Sequence, residues 1–536
     1  MSNESYNRPL QGDSEAAQVD SLHDDPIARL EIRRRSFLGG LGLTAVSTTL
    51  GVQGCGAIRK PVEKILPYVS RPEDLVPGQP IYFATSWHQG GVVEGLLVES
   101  HEGRPTKIEG NPQHPHSLGA TSGWAQTSIH DLYDPDRSKA PRNQGAEVSW
   151  EKVDAYLAGA AKRLESSKGK GLALLIESAP SPTLKGLLSA LRAKMPEAKI
   201  YRHDLLGRSN SRSGADLIGA AGLVPVRSLK GADVILSIDG DPLHAEGETT
   251  RLAREYSDGR RVATPGDKMN RLYAVETNFS ITGGQADHRL RLKSSEIPAF
   301  VALLADRLKG KGISIPASVP APTTPVGSNA ALVNRFVDAL AADLAANKGK
   351  SLVMVGEGQP SSVHGLVTAI NVGLGNLGKT LDFYPDVEAN VDGDLAALTG
   401  ALVAGDVSHL IMVGGNPAYT SPADLKFGDA IGQATALSLH LSGSYDETSR
   451  QSTWHLPAAH YLESWGDLET SNGVASLQQP LIAPLYGTAW TAVELVGRLI
   501  GNSASAYELT RAHWQRVANR GNATLQAAAD ASAKVR

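Results

Sequence analysis

The chain has 536 residues, with 52 Lys and Arg against 56 Asp and Glu and a formal net charge of −4, which excludes the basic footprint of a nucleic-acid binder. At about 150 residues per domain this length predicts several domains, and 55 Gly and 30 Pro are too few for a disordered or collagen-like chain. The single cysteine, Cys55, excludes an internal disulfide and the thiolate set that an iron–sulfur cluster takes.

The first 31 residues are polar and aperiodic, and then Arg33-Arg34-Arg35-Ser36-Phe37-Leu38 opens a weakly apolar, Gly- and Thr-rich stretch that runs to Val52. This is the layout of a twin-arginine export signal carried by Arg34, Arg35, Phe37 and Leu38, and the stretch is too weakly apolar for a permanent span. Val52-Gln53-Gly54-Cys55 follows and resembles a lipobox, which makes Cys55 a candidate for lipid attachment. The alternative is a lone thiol after the signal, because Gln53 fits that motif poorly. No other apolar run reaches membrane length. The expectation is a periplasmic globule exported by the twin-arginine route.

From Arg59 to Arg142 short apolar pieces such as Gly95-Leu96-Leu97-Val98-Glu99 lie among Gly, Pro and His, a pattern of short strands and turns. Ser149 is placed to cap a helix with Val153, Leu157, Ala160 and Leu164 on one face. Leu172-Ala173-Leu174-Leu175-Ile176 is an apolar run of strand length, followed by Ser181-Pro182 as cap and first turn of a helix. The same phrase returns in Ser351-Leu352-Val353-Met354-Val355, with Ser361 or Ser362 expected as the next helix cap. A second pair matches Val234–Ile238 and its turn Asp239-Gly240-Asp241-Pro242 with Leu410–Val413 and its turn Gly414-Gly415-Asn416-Pro417.

Both pairs are offset by about 175 to 180 residues, which predicts an α/β fold with two similar parallel-sheet lobes and a small N-terminal β-rich segment. The expected division is a signal peptide (1–54), the β-rich segment (55–145), a first α/β lobe (146–312), a Pro-rich linker and helix (313–345), a second α/β lobe (346–500) and a C-terminal helix and tail (501–536). Ligands of parallel sheets bind at the C-terminal strand ends. That places Asp239–Pro242 and Gly414–Pro417 where a cofactor would lie, although both also read as ordinary turns.

Signals for chemistry are weak. His114-Pro115-His116 and His455 with His460 come nearest to metal spacing but lack a third marked ligand. The acidic pairs Asp134/Asp136 and Glu463/Asp467 read as solvated carboxylates, no Gly-x-Ser-x-Gly elbow is present, and Gly207-Arg208-Ser209-Asn210-Ser211 reads as a polar turn. Catalytic, cofactor-binding and metal residues are therefore each expected to be none.

Several stretches resemble the molybdopterin oxidoreductase superfamily: Gly95–Glu99, Gly103–Pro115, Ile129–Arg137 and the helix opened by Ser149-Trp150-Glu151. Pro61–Val69 and Trp454–Asp467 are similar to the large periplasmic subunits of bacterial alternative complex III, a group of membrane quinol oxidases that pass electrons to a cytochrome or similar acceptor. The resemblance implies a non-catalytic scaffold subunit of such an oxidoreductase complex, with three partners: an iron–sulfur ferredoxin-like subunit, a polytopic quinol-oxidising membrane subunit and a multihaem cytochrome c. It also implies iron–sulfur clusters and haem in those partners and no cofactor in this chain. Where the superfamily's enzymes hold a cluster through cysteines, the matching stretches read Thr85–Gly91 and Gly119–Gly123 without a thiol. Two further parts are unmatched: the C-terminal domain that closes over the pterin in the enzymes, and the cluster-bearing part of the long form of the large periplasmic subunit. The competing expectation is a molybdenum or tungsten bis-pterin enzyme with a serine metal ligand in Gly207–Ser211.

Overall fold

The computed structural model describes residues 75–76, 78–316, 329–388, 391–434 and 436–533, with side chains as far as residue 521. Arg34, Arg35, Phe37, Leu38, Cys55 and the stretch Pro61–Val69 lie outside the described residues.

The β-rich segment forms an antiparallel sheet of Ile81–Gln89, Val92–His101 and Arg104–Gly110. Gln89 pairs with Val92, so Gly90 and Gly91 alone make the first turn. Both have positive φ, 55° and 75°, the combination that a two-residue hairpin matched to strand twist requires. Leu96, Val98 and Ile108 pack against Ala125, Ile129 and Leu132 of the helix Gly123–Tyr133. The Ser122 side chain caps that helix, and the Ser122 amide donates to Glu94.

Two mainly parallel sheets carry most of the rest. The larger runs in the order Ala146–Glu147, Arg142–Asn143, Trp454–Pro457, Leu437–Ser442, His409–Val413, Leu172–Ile176 and Lys199–Arg202, the last five strands being parallel. The smaller is His288–Arg291, Arg271–Glu276, Val234–Ile238 and Ser351–Val355, all parallel. Leu172–Ile176, Val234–Ile238 and Ser351–Val355 are buried along their whole length, as continuous apolar runs are when helices cover both faces.

The two similar sheets stand as expected, but their division along the chain is corrected. The lobes do not follow each other as 146–312 and 346–500: Leu172–Ile176 pairs with His409–Val413, and Ser351–Val355 pairs with Val234–Ile238. All strands of the smaller sheet lie between Arg202 and His409 in sequence, so the smaller sheet is an insertion within the larger. Leu223–Arg227 and Leu381–Pro385, through which the chain leaves and returns, pair antiparallel with each other. An apolar run specifies burial on both faces but not its neighbour, because parallel pairing needs a crossover of arbitrary length.

The repeated phrases nevertheless correspond. Ile176 faces Val413 in one sheet as Val355 faces Ile238 in the other. The next amide repeats the match: Glu177 N–H donates to the Val413 carbonyl at 3.0 Å, and Gly356 N–H donates to that of Ile238 at 2.9 Å.

The helix Pro182–Lys194 is capped by the Ser181 hydroxyl on the Leu184 amide. Ser149 occupies the cap position of Trp150–Ser166 without a side-chain capping bond. For Ser361–Gly373 the cap is Pro360, and Ser361 and Ser362 are already helical. The extended geometry of Pro360, φ −65° and ψ 155°, sets the chain direction that a serine was expected to set. The last helix, Ala506–Ala533, packs Ala506 and Leu509 into a core on the larger sheet.

Candidate functional site

Both turns singled out from sequence lie at C-terminal strand ends, where their half-buried polar side chains are hydrogen-bonded to neighbouring elements. Asp239, at φ 45°, accepts from the Thr277 amide at 3.1 Å, the Ser294 hydroxyl at 2.7 Å and the Gln359 amide group at 2.7 Å. Burial alone would raise its pKa, and these bonds lower it overall. Asp241 accepts from the Thr282 amide and hydroxyl. In the matching turn the Asn416 carboxamide accepts from the Thr448 hydroxyl at 2.7 Å and donates to Glu447 at 2.7 Å. Glu177 closes over the glycines: a Cβ on Gly414 would stand 2.8 Å from its Oε2.

The most developed charge cluster was not legible in the sequence. Glu388, only 6% exposed, accepts from the Ser178 hydroxyl at 2.8 Å, the Ala179 amide at 2.8 Å and Arg212 NH2 at 2.8 Å. Arg202 Nε stands 3.8 Å from the same carboxylate, and its NH2 donates to the Glu388 carbonyl. Asp386 accepts from Arg212 Nε at 2.7 Å and, on its other oxygen, from the Glu388 amide at 2.9 Å. Burial alone would raise the Glu388 pKa, but Arg202, Arg212 and the Ser178 hydroxyl hold it below the ordinary value. The Gly90-Gly91 turn covers this group, since a Cβ on Gly91 would meet Ser178 Oγ at 3.1 Å and Glu388 Oε2 at 3.3 Å. Ser178 sits just past a strand end, which is a weak signal, whereas Arg212 and Glu388 are 176 residues apart, which no spacing rule connects.

A second cluster joins three parts of the chain at Glu248, which contacts Arg251, His116 and Ser471. Burial alone would raise its pKa, and His116, Arg251 and Arg208 take it well below the ordinary range.

Of the histidines singled out from sequence, His114, His455 and His460 are hydrogen-bonded within the chain. His114 bonds Ser476 and the Ser117 amide. His455 bonds Ser449 and Ser138, and His460 accepts from the Leu462 amide. Among the described residues no cluster of three His, Cys, Asp or Glu could hold a metal ion. Glu463 and Asp467 are not solvated as expected: Glu463 is paired bidentately with Arg137 at 2.9 and 2.7 Å, and Asp467 is 1% exposed. The polar turn expected at Gly207–Ser211 opens the helix Ser209–Leu217, where the Ser211 hydroxyl donates to the Arg208 carbonyl and its amide to Glu357.

No family model matches the chain. It is similar to the menaquinone reductase, molybdopterin-binding-like subunit, of Nitratidesulfovibrio vulgaris (strain Hildenborough), with 26% identity over 432 residues, or 74% of this chain. The chain spans 61% of the length of that curated relative. Acetylene hydratase from Pelobacter acetylenicus superposes with a TM-score of 0.61 at 11% identity, over 78% of this chain and 69% of its own. The chain has a molybdopterin-oxidoreductase-like fold.

That fold implies an anionic pterin at the strand ends, where this chain presents carboxylates. Glu388 already takes the donors of Ser178, Ala179 and Arg212, Asn416 is tied to Glu447 and Thr448, and Asp239 fills the other turn. A phosphate-bearing group would meet like charge and spent donors there, so these residues do not fit it. Among the described residues no helix is long and apolar enough to cross a membrane.

Proposed function

We propose that the chain is a non-catalytic subunit of a membrane-associated complex that exchanges electrons with the quinone pool. The likeness of 74% of the chain to a menaquinone reductase subunit supports the assignment to a quinone oxidoreductase. The observation that carries the non-catalytic role is Glu388, which spends on the chain's own carboxylate the donors that a cofactor phosphate would need. In this reading the chain binds neither molybdopterin nor metal, and it docks an iron–sulfur ferredoxin-like subunit, a polytopic membrane subunit and a multihaem cytochrome c that carry the clusters and haem. The sequence motifs favour the alternative complex III type, with quinol as electron donor. The twin-arginine motif at Arg34 and Arg35 supports export to the periplasmic side, with Cys55 as the candidate lipid anchor.

Affinity purification of the tagged chain from membranes tests this. Co-purifying chains that contain haem and iron are expected. Recovery of the chain alone, with quinone-linked activity unaffected by its deletion, would refute the assignment.

A further inference from the structure

Glu388 occupies a hole with the donor set of an oxyanion site. Its donors come from two separate pieces of chain, the turn after Leu172–Ile176 with the Ser178 hydroxyl and Ala179 amide and the helix Ser209–Leu217 with Arg212, while the strand Lys199–Arg202 brings the Arg202 guanidinium beside the carboxylate at 3.8 Å. The acceptor comes from a fourth piece, the segment that follows Leu381–Pro385. A hydroxyl, a main-chain amide and two guanidinium groups converging at a strand end form the combination that binds phosphate oxygens. An ordinary surface glutamate needs no such set.

The surroundings suit a larger anion than one carboxylate. A cavity of about 250 Å³ adjoins Glu388, with Ser181, Lys185, Arg192 and Arg202 in its wall and Leu184, Leu188 and Ile200 as apolar lining. Lys185 Nζ donates there to the main-chain carbonyl of Asp386 at 3.3 Å. The Gly90-Gly91 turn also lies against this group, where a β-carbon on Gly91 would stand 3.1 Å from Ser178 Oγ and 3.3 Å from Glu388 Oε2.

We propose that Ser178, Ala179, Arg202 and Arg212 form a diphosphate-type oxyanion site that the chain fills in cis with the carboxylate of Glu388. The site belongs to this chain alone and stands whether or not the chain works in a quinone-linked complex. Glu388 blocks it by occupying the donors, so removing that carboxylate opens the site to a soluble anion.

Calorimetric titration of the full chain with inorganic pyrophosphate tests this. Glu388→Ala is expected to bind pyrophosphate at least about tenfold more tightly than the unmodified chain, the order that two or more freed charge-assisted hydrogen bonds supply. The double variant Glu388→Ala/Arg212→Ala is expected to lose that gain. Acetate serves as a control, because any deleted carboxylate leaves a hole that acetate fills, whereas a diphosphate-type site prefers pyrophosphate. If Glu388→Ala fails to fold, Glu388→Ser, whose side chain is likewise too short to fill the hole, replaces it, and its melting temperature in rising pyrophosphate gives the same readout. Equal pyrophosphate affinity in the unmodified chain and the folded Glu388 variant, a gain that survives loss of Arg212, or a preference for acetate would each overturn the proposal.

Discussion

The Trp514 indole N–H donates to Asp467 Oδ2 at 2.9 Å, tying the last helix to the first turn of the helix Pro182–Lys194. The same carboxylate accepts from the Ser181 hydroxyl, the Thr183 hydroxyl and the Thr183 amide. One buried anion therefore satisfies donors at a helix N-terminus, where negative charge is favoured, and fixes the last helix to it.

Asp467→Ala leaves several buried donors without an acceptor, at roughly 1–3 kcal/mol each where no water replaces it. A loss of about 3 kcal/mol is expected in denaturant unfolding, against about 1 kcal/mol for Trp514→Phe, which removes one donor. A loss below about 1 kcal/mol for Asp467→Ala would mean that water satisfies the helix end.

Asn416 sits at a strand end with its carboxamide bonded to Glu447 and Thr448. Asn416→Ala removes the bonds to Glu447 and Thr448, so it should lower stability by about 1 kcal/mol and leave quinone-linked electron transfer by the assembled complex near normal. Turnover lost while assembly is preserved would count against a non-catalytic role.

Gly91 combines a φ of +75° with close contact to Ser178 and Glu388, whereas Gly405, at φ +78°, has open space where a β-carbon would go. Gly405→Ala should cost about 1 kcal/mol through the left-handed backbone alone. Gly91→Ala should cost about 2 kcal/mol or more, because Glu388 must also shift. Thermal unfolding of the two variants checks the difference, and equal losses would place the hairpin tip away from Glu388.

His114, His455 and His460 are each lowered to about 4, in every case first by burial and then by a neighbouring cation or histidine. The folded state thus holds these rings neutral where the unfolded chain, at an ordinary value near 6.5, takes up protons. Their contribution is complete above about pH 6.5 and is lost as pH falls toward 4, by about 1.4 kcal/mol per pH unit for each ring once the unfolded rings are charged. Unfolding midpoints in denaturant at pH 7.5, 6 and 5 should fall with steepening slope, and substituting one ring by Gln should flatten it.

Much of the fold is legible because burial leaves a mark on residue type. Leu172–Ile176 and Ser351–Val355 read as strands since each is apolar throughout, and Ser181 read as a cap since its hydroxyl does cap. Partner choice leaves no such mark: nothing in Leu172–Ile176 says that its neighbour is His409–Val413, more than 230 residues away. The candidate turns were placed correctly at strand ends, but the bonding of Asp239 and Asn416 depends on Ser294, Gln359 and Thr448, which other elements bring to them. Glu388 lay beyond sequence reasoning for the same reason, since its donors come from residues 178, 179 and 212 and its second guanidinium neighbour from residue 202.

Elemental analysis of the chain purified within its complex tests the central claim most directly. The carboxylate-filled strand ends predict no stoichiometric molybdenum or tungsten per chain, with iron accounted for by the partner subunits. One molybdenum or tungsten per chain, retained when the chain is separated from its partners, would contradict the account.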